Sequence, residues 1–113
     1  MDNSALDLDF LKKAIGEDRD FEKELFEIFL ENSKYNISKL EDAISKDDNN
    51  AWYMASHALK GSSASIGAFN LSRILEVAQK NSDDEADAKI KMLEDIKLEF
   101  TNVEDAIKSR LAS

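Results

Sequence analysis

Proline is absent from the whole chain, and glycine occurs three times, at Gly16, Gly61 and Gly67. With so few breakers, 113 residues must be punctuated by those glycines and by short polar clusters. Between them the apolar residues recur at three- and four-residue spacing, the period of an amphipathic helix. No segment alternates in the manner of a strand, and no repeat of 20 to 50 residues is visible.

Five helices are predicted. A short one carries Leu6, Leu8, Phe10, Leu11, Ala14 and Ile15 and ends at Gly16, a residue suited to the C-terminal cap. The residues from Asp18 to Asp20 offer N-caps for a long second helix with the stripe Phe21, Leu25, Ile28, Phe29, Ile37, Leu40 and Ile44. It runs to about Lys46 and stops in Asp47-Asp48-Asn49-Asn50. A third begins after Asn50 and ends at Gly67. A fourth runs from about Asn70, with Leu71, Ile74, Leu75 and Ala78 on one face, to Asn81-Ser82. The last begins between Asp83 and Ala86 and carries Ile90, Leu93, Ile96, Phe100, Val103, Ile107 and Leu111. Short connections make consecutive long helices antiparallel neighbours. The expected fold is all-α: an up-down-up-down four-helix bundle with a short extra N-terminal helix, residues 1–113 forming a single domain.

Composition narrows the function. There is no cysteine, hence no disulfide framework and no thiolate site. One histidine without cysteine gives no basis for a zinc site. Asp7 and Asp9 open something like a calcium loop, but Leu11 and Lys12 stand where a ligand and a glycine belong, so the expectation is no bound metal. No nucleophile-elbow motif is present. No apolar run approaches the roughly 20 residues that span a bilayer. The start, Met1-Asp2-Asn3-Ser4, lacks an apolar signal core, and the expected location is cytoplasmic. The formal net charge is −9, which disfavours nucleic acid and anionic membrane as partners. A bundle of this size is expected to be a monomer, with the exposed end of the last helix leaving dimerisation open.

The acidic residues are unevenly spread. The 27 residues between Asp48 and Glu76 contain no Asp or Glu, whereas 24 acids in 113 residues would place about 5.7 there. That window holds Lys60, Arg73 and the one histidine, His57. On a wheel of about 100° per residue with His57 at the origin, Trp52, Ala55, Leu59, Ser63 and Ile66 fall on the opposite side. His57 therefore faces outward. Lys60 is its neighbour one turn on. Gly61, at i+4, sits mid-helix, where glycine costs roughly 1 kcal/mol against alanine. Tyr53, Met54, Ala64 and Ala68 lie on the same side. A mid-helix glycine beside an outward imidazole leaves one flank of the ring without a side-chain wall, so another protein can approach. An exposed neutral imidazole is a nucleophile, and a nearby cation favours an anionic group delivered to it. The blander alternatives are an incidental surface histidine, a glycine for tight helix packing, and serines that let helices approach.

The run His57-x-x-Lys60-Gly61-Ser62-Ser63, followed by Gly67-Ala68, resembles the signature of histidine-containing phosphotransfer (HPt) domains of two-component phosphorelays, and the helical pattern of the whole chain agrees with that family's bundle. The resemblance implies that His57 accepts a phosphoryl group on Nε2 from a receiver-domain aspartyl phosphate and passes it to another receiver. It implies that Lys60 interacts with the phosphoryl oxygens and that Gly61 gives the incoming active site room. It also implies that Gln79, 22 positions after His57, holds the other ring nitrogen. Geometry allows that last role: with the turn near Ala68, His57 and Gln79 are equidistant from it and lie at similar height in an antiparallel hairpin. A solvated surface Gln79 is the alternative.

The chain has one nucleophile and one neighbouring cation, with no Gly-rich phosphate loop. It reads as a phosphoryl carrier, not an enzyme, with Mg²⁺ supplied by the receiver. The expected partner surface is Tyr53, Met54, Gly61, Ala64 and Ala68, with Phe10, Leu11 or Ile15 either adding to it or capping the core. Two other functions fit the same residues. One is the phospho-accepting HPt domain of a larger hybrid or chemotaxis-type sensor kinase; Ala58 after His57 argues against a kinase dimerisation-type histidine. The other is a helical adaptor in which His57 is incidental.

Overall fold

Three of the helices start where an aspartate side chain accepts a backbone N–H three residues on, which satisfies a donor the helix itself leaves orphaned. In the computed structural model, which describes residues 5–113, Asp7 accepts from Phe10 at 2.9 Å, Asp18 from Phe21 at 3.0 Å and Asp48 from Ala51 at 2.9 Å. The helices are α1 (Leu8–Ile15), α2 (Arg19–Ser45), α3 (Asn49–Ser65), α4 (Phe69–Lys80) and α5 (Ala86–Ala112). Among the described residues there is no strand. The tetrapeptide Met1 to Ser4, on which the expectation about a signal core rested, lies outside the described residues.

The ends are built by backbone geometry as much as by side chains. After α3, the Ala68 N–H donates to the Ser63 carbonyl at 2.8 Å and the Gly67 N–H to the Ala64 carbonyl at 3.1 Å. This is the paired closure of a Schellman turn, with Gly67 at φ 82°. After α2 the same pair recurs, Asp48 to Ala43 and Asp47 to Ile44. There the left-handed residue is Asp47, φ 51°, a residue type whose short polar side chain tolerates that region. No glycine marks this turn, and α3 begins at Asn49 where the sequence placed it after Asn50.

Helices α2, α3, α4 and α5 each pack on the next, and α5 closes the ring against α2. The expected four-helix bundle is present. A 27-residue helix is about 40 Å long, and α2 and α5 account for the 43 Å long axis. The shorter α3 and α4 cover only part of that length. At the turn joining them, α1 docks: the Asp7 N–H donates to the Gly67 carbonyl at 2.9 Å, and Phe10 meets Phe69 edge to face at 5.0 Å. Leu6 and Leu11 are buried in the common core, with Ile15 packed against it. Leu11 thus caps the bundle core and is not part of a partner surface.

The core follows the predicted stripes on α3, α4 and α5, apart from Ile90 and Leu111, which are exposed. On α2 it does so from Phe29 onward: Phe29, Ile37 and Leu40 are buried with Ser33 and Ala43, and Ile44 packs against the core. In the first turns Phe21 and Ile28 are exposed, and the buried positions are Glu22 and Phe26, one residue or about 100° from those hydrophobicity selects. The inward Glu22 is tolerated because Arg110 of α5 forks onto it at 2.8 and 3.3 Å, a charge-assisted bidentate pair. Arg19 adds a second cation at 3.5 Å and donates to the Arg110 carbonyl at the end of α5.

The largest buried side chain is Trp52 on α3. Its Nε1–H donates to the Ala78 carbonyl of α4 at 2.8 Å. The ammonium of Lys89, from the first turn of α5, lies 5.5 Å from the indole centroid and 2.5 Å from the Asn49 Oδ1.

Candidate phosphoryl-accepting histidine

His57 stands two turns into α3, on the face opposite Trp52, Ala55, Leu59 and Ser63, all of which are buried. Its ring is exposed, and its Nδ1 lies 3.3 Å from the Oε1 of Gln79 on α4. The amide oxygen is an acceptor only, so the bond forms when Nδ1 carries the proton and donates. That tautomer leaves the lone pair on Nε2 of the exposed ring. The antiparallel hairpin therefore brings together the two residues that the sequence placed at equal height, and Gln79 is not a freely solvated side chain.

Three residues define the surroundings. Tyr53, one turn earlier, lies parallel to the imidazole, with centroids 6.0 Å apart and an interplanar angle of 4°. Lys60, one turn later, is half-buried, and among the described residues its ammonium takes part in no ion pair. Gly61 is exposed, and a β-carbon built there meets nothing within 4 Å. Tight packing against a neighbouring helix is thereby removed as the reason for this glycine. The ring has an aromatic wall on its N-terminal side and bare backbone on the other.

The serines of the motif face elsewhere. Ser63 is fully buried and donates to the Leu59 carbonyl at 2.7 Å, and Ser62 donates to the Ala58 carbonyl at 3.0 Å. Their small size lets α3 lie close to its neighbours, and their hydroxyls bond their own helix.

Of the expected partner surface, Met54 is 59% exposed and Tyr53 39%. Ala64 is half-buried. Ala68 is a correction: it is 0% exposed and cannot meet a partner. The wheel that placed it beside His57 assumes a helix continuing to residue 68, but α3 ends at Ser65 and Ala68 is the N-cap of α4, folded into the turn. Trp52 was recognised from the sequence only as core. Its need for a buried acceptor is the signal that points further, since an indole N–H taken out of water finds a partner.

Among the described residues no group of three or more His, Cys, Asp or Glu side chains converges as a metal site, and no helix is long and apolar enough to cross a membrane. Comparison with known proteins bears on family and fold. The family model for the Hpt domain matches residues 24–106, a span that contains α3, α4 and the whole His57 motif. The crystal structure of the HPT domain from a hybrid sensor histidine kinase of Shewanella superposes with a TM-score of 0.81. At 18% identity it covers 98% of this chain and 97% of that one, a likeness of fold. No curated protein sequence matches the chain. With the model match spanning well over half of its length, the chain belongs to the Hpt domain family.

Proposed function

We propose that this protein is a phosphorelay intermediate that takes a phosphoryl group onto His57 Nε2 from the aspartyl phosphate of one receiver domain and delivers it to another. The observation that carries the reading is the pairing of Nε2 on an exposed ring with an Nδ1 held by Gln79. The lone pair of Nε2 attacks phosphorus; the N–P bond forms as the acyl O–P bond breaks, and the bonding electrons leave with the receiver carboxylate. Nδ1 keeps its proton throughout. The ring becomes a phosphoimidazolium, whose positive charge the Gln79 carbonyl stabilises. Delivery is the same step in reverse, onto a second carboxylate.

The transition state is loose, with charge spread over the phosphoryl oxygens, so positioning and electrostatics do most of the work. On this side of the interface the positioning comes from Gln79 and Tyr53 and the charge from Lys60. Mg²⁺ would be supplied by the receiver and would offset charge on the phosphoryl oxygens. The docking face is Tyr53, Met54, Gly61 and Ala64, in the segment free of negative charge, so an anionic phosphoryl site meets no carboxylate of α3.

The reading is tested by incubating the protein with a phosphorylated receiver and Mg²⁺ and following label that is acid-labile and alkali-stable. Lys60→Ala should retain the fold and slow transfer roughly 10-fold or more, since one charge-assisted contact is worth about 1.5–3 kcal/mol. An unchanged transfer rate in that variant removes Lys60 from the mechanism.

Gly61 separates docking from stability. Gly61→Ala adds a β-carbon into open space and removes the helix penalty of glycine, so it should stabilise by about 1 kcal/mol, or roughly 4–6 °C in Tm. Gly61→Gln should melt no lower than the parent, yet lose transfer by an order of magnitude or more, because its side chain occupies the open flank. A Gly61→Gln protein that transfers normally shows that the flank is not where the receiver approaches.

A further inference from the structure

The Gln79 amide reaches His57 only if α4 keeps its height and distance relative to α3. The apolar core between the two helices and the Ser72 hydroxyl, which donates to the Lys60 carbonyl at 3.3 Å, contribute to this. Below the site a buried polar contact adds to them. The Ala78 carbonyl, adjacent to Gln79, is in the last turn of α4, where the regular i+4 amide bond is missing. The Trp52 indole donates to it at 2.8 Å, and the Asn81 backbone N–H, shared with the Val77 carbonyl, donates at the longer distance of 3.3 Å. Trp52 is five residues before His57 and about 140° round the helix, so it touches neither reacting nitrogen.

The indole is itself held. Lys89 is 2% exposed and among the described residues forms no ion pair. Its buried charge is met by the Asn49 Oδ1 and by the face of the Trp52 ring, a cation–π placement. Rotating the indole away would leave the ammonium with Asn49 alone and the Ala78 carbonyl with the longer Asn81 bond alone, a loss of polar partners in the core that is costly. One tryptophan therefore ties α3, the end of α4 and the start of α5 together at the level of the His57–Gln79 pair.

We infer that Trp52 is a positioning residue for His57: its indole N–H, clamped on the Ala78 carbonyl beneath Lys89, sets α4 against α3 and so places the Gln79 amide on Nδ1. The geometric claim stands apart from the phosphorelay reading, and its kinetic consequence rests on that reading.

The composition makes the experiment clean. The chain has one Trp and one His, so a tryptophan analogue enters at a single position and imidazole ¹⁵N resonances report one ring. Two replacements are compared with the parent: Trp52→Phe, and the benzothienyl analogue in which sulfur replaces the indole N–H at nearly constant shape. In the parent, His57 should resonate as the Nδ1–H tautomer. In both replacements, with helicity and cooperative melting retained, the signals should move toward the Nε2–H form that free histidine prefers. Phosphorylation by phosphoramidate, a small donor that needs no receiver, should slow roughly three- to tenfold. Adding Gln79→Leu to either replacement should cause no further tautomer change, the non-additivity expected of residues acting through one contact. A folded benzothienyl protein with the parental tautomer ratio overturns the inference. A shifted tautomer in a protein whose parent takes no label from phosphoramidate upholds the clamp and overturns the carrier role of His57.

Discussion

His57→Ala should abolish the acid-labile, alkali-stable label completely, not merely reduce it. The chain contains no second histidine and no cysteine, so no other imidazole can form an N–P bond, and label on a carboxylate would have the opposite alkali stability. The fold should survive. The ring is exposed and contributes one hydrogen bond to Gln79 and one parallel contact with Tyr53, interactions worth about 1 kcal/mol in total. Alanine regains part of that through its helix propensity. The expected result is therefore a protein with parental helicity, a melting temperature within a few degrees of the parent, and no transferable phosphoryl group. Measuring circular dichroism alongside label retention decides the matter: label persisting in the folded variant places the acceptor elsewhere and leaves His57 as an ordinary surface residue.

Gly67→Ala should be the most damaging single-methyl change in the molecule, and its sign is opposite to that of Gly61→Ala a turn and a half earlier. Gly67 has φ 82°, where an L side chain costs about 1–3 kcal/mol. The new β-carbon would also lie 2.9 Å from the Asp7 carbonyl oxygen and 3.2 Å from the Phe10 ring. The first of these is backbone and cannot swing aside. Relief requires α1 to lift, which breaks the Asp7 N–H to Gly67 carbonyl bond and exposes Leu6 and Leu11. We expect a loss of roughly 2–4 kcal/mol, a large share of the 5–15 kcal/mol that holds a domain together. The check is a urea midpoint at unchanged m-value, together with faster proteolysis within residues 5–16. A loss below about 0.5 kcal/mol would mean that α1 docks independently of the turn. The two glycines of one motif thus serve different ends. Gly67 is required by this chain's own fold, whereas Gly61 has open space around it and is not required by packing.

The exposed Phe21 and Ile28 show where helical periodicity stops being informative. Both fit the stripe on α2, and both are apolar, yet in these first turns the buried positions are Glu22 and Phe26, whereas Phe29, Ile37 and Leu40 are buried as the stripe selects. Glu22 is admissible inside because Arg110, 88 positions away, arrives on α5 and joins Arg19 on its carboxylate. Nothing near residue 22 announces that partner. Ala68 fails for a different reason: the wheel that put it beside His57 ran past the end of the helix.

Local chemistry was sufficient for the rest of the architecture. The absence of proline, the aspartate caps, the left-handed glycines and the three-four spacing act over one or two turns, so helix number, helix limits and the outward aspect of His57 are all written in neighbouring residues. The position of one helix relative to another is not. Which face of α2 is buried, whether the Gln79 amide reaches Nδ1, and why the lone tryptophan sits beneath that pair depend on helix rotation and height. Those are set by packing the whole core at once, and only the folded bundle decided them.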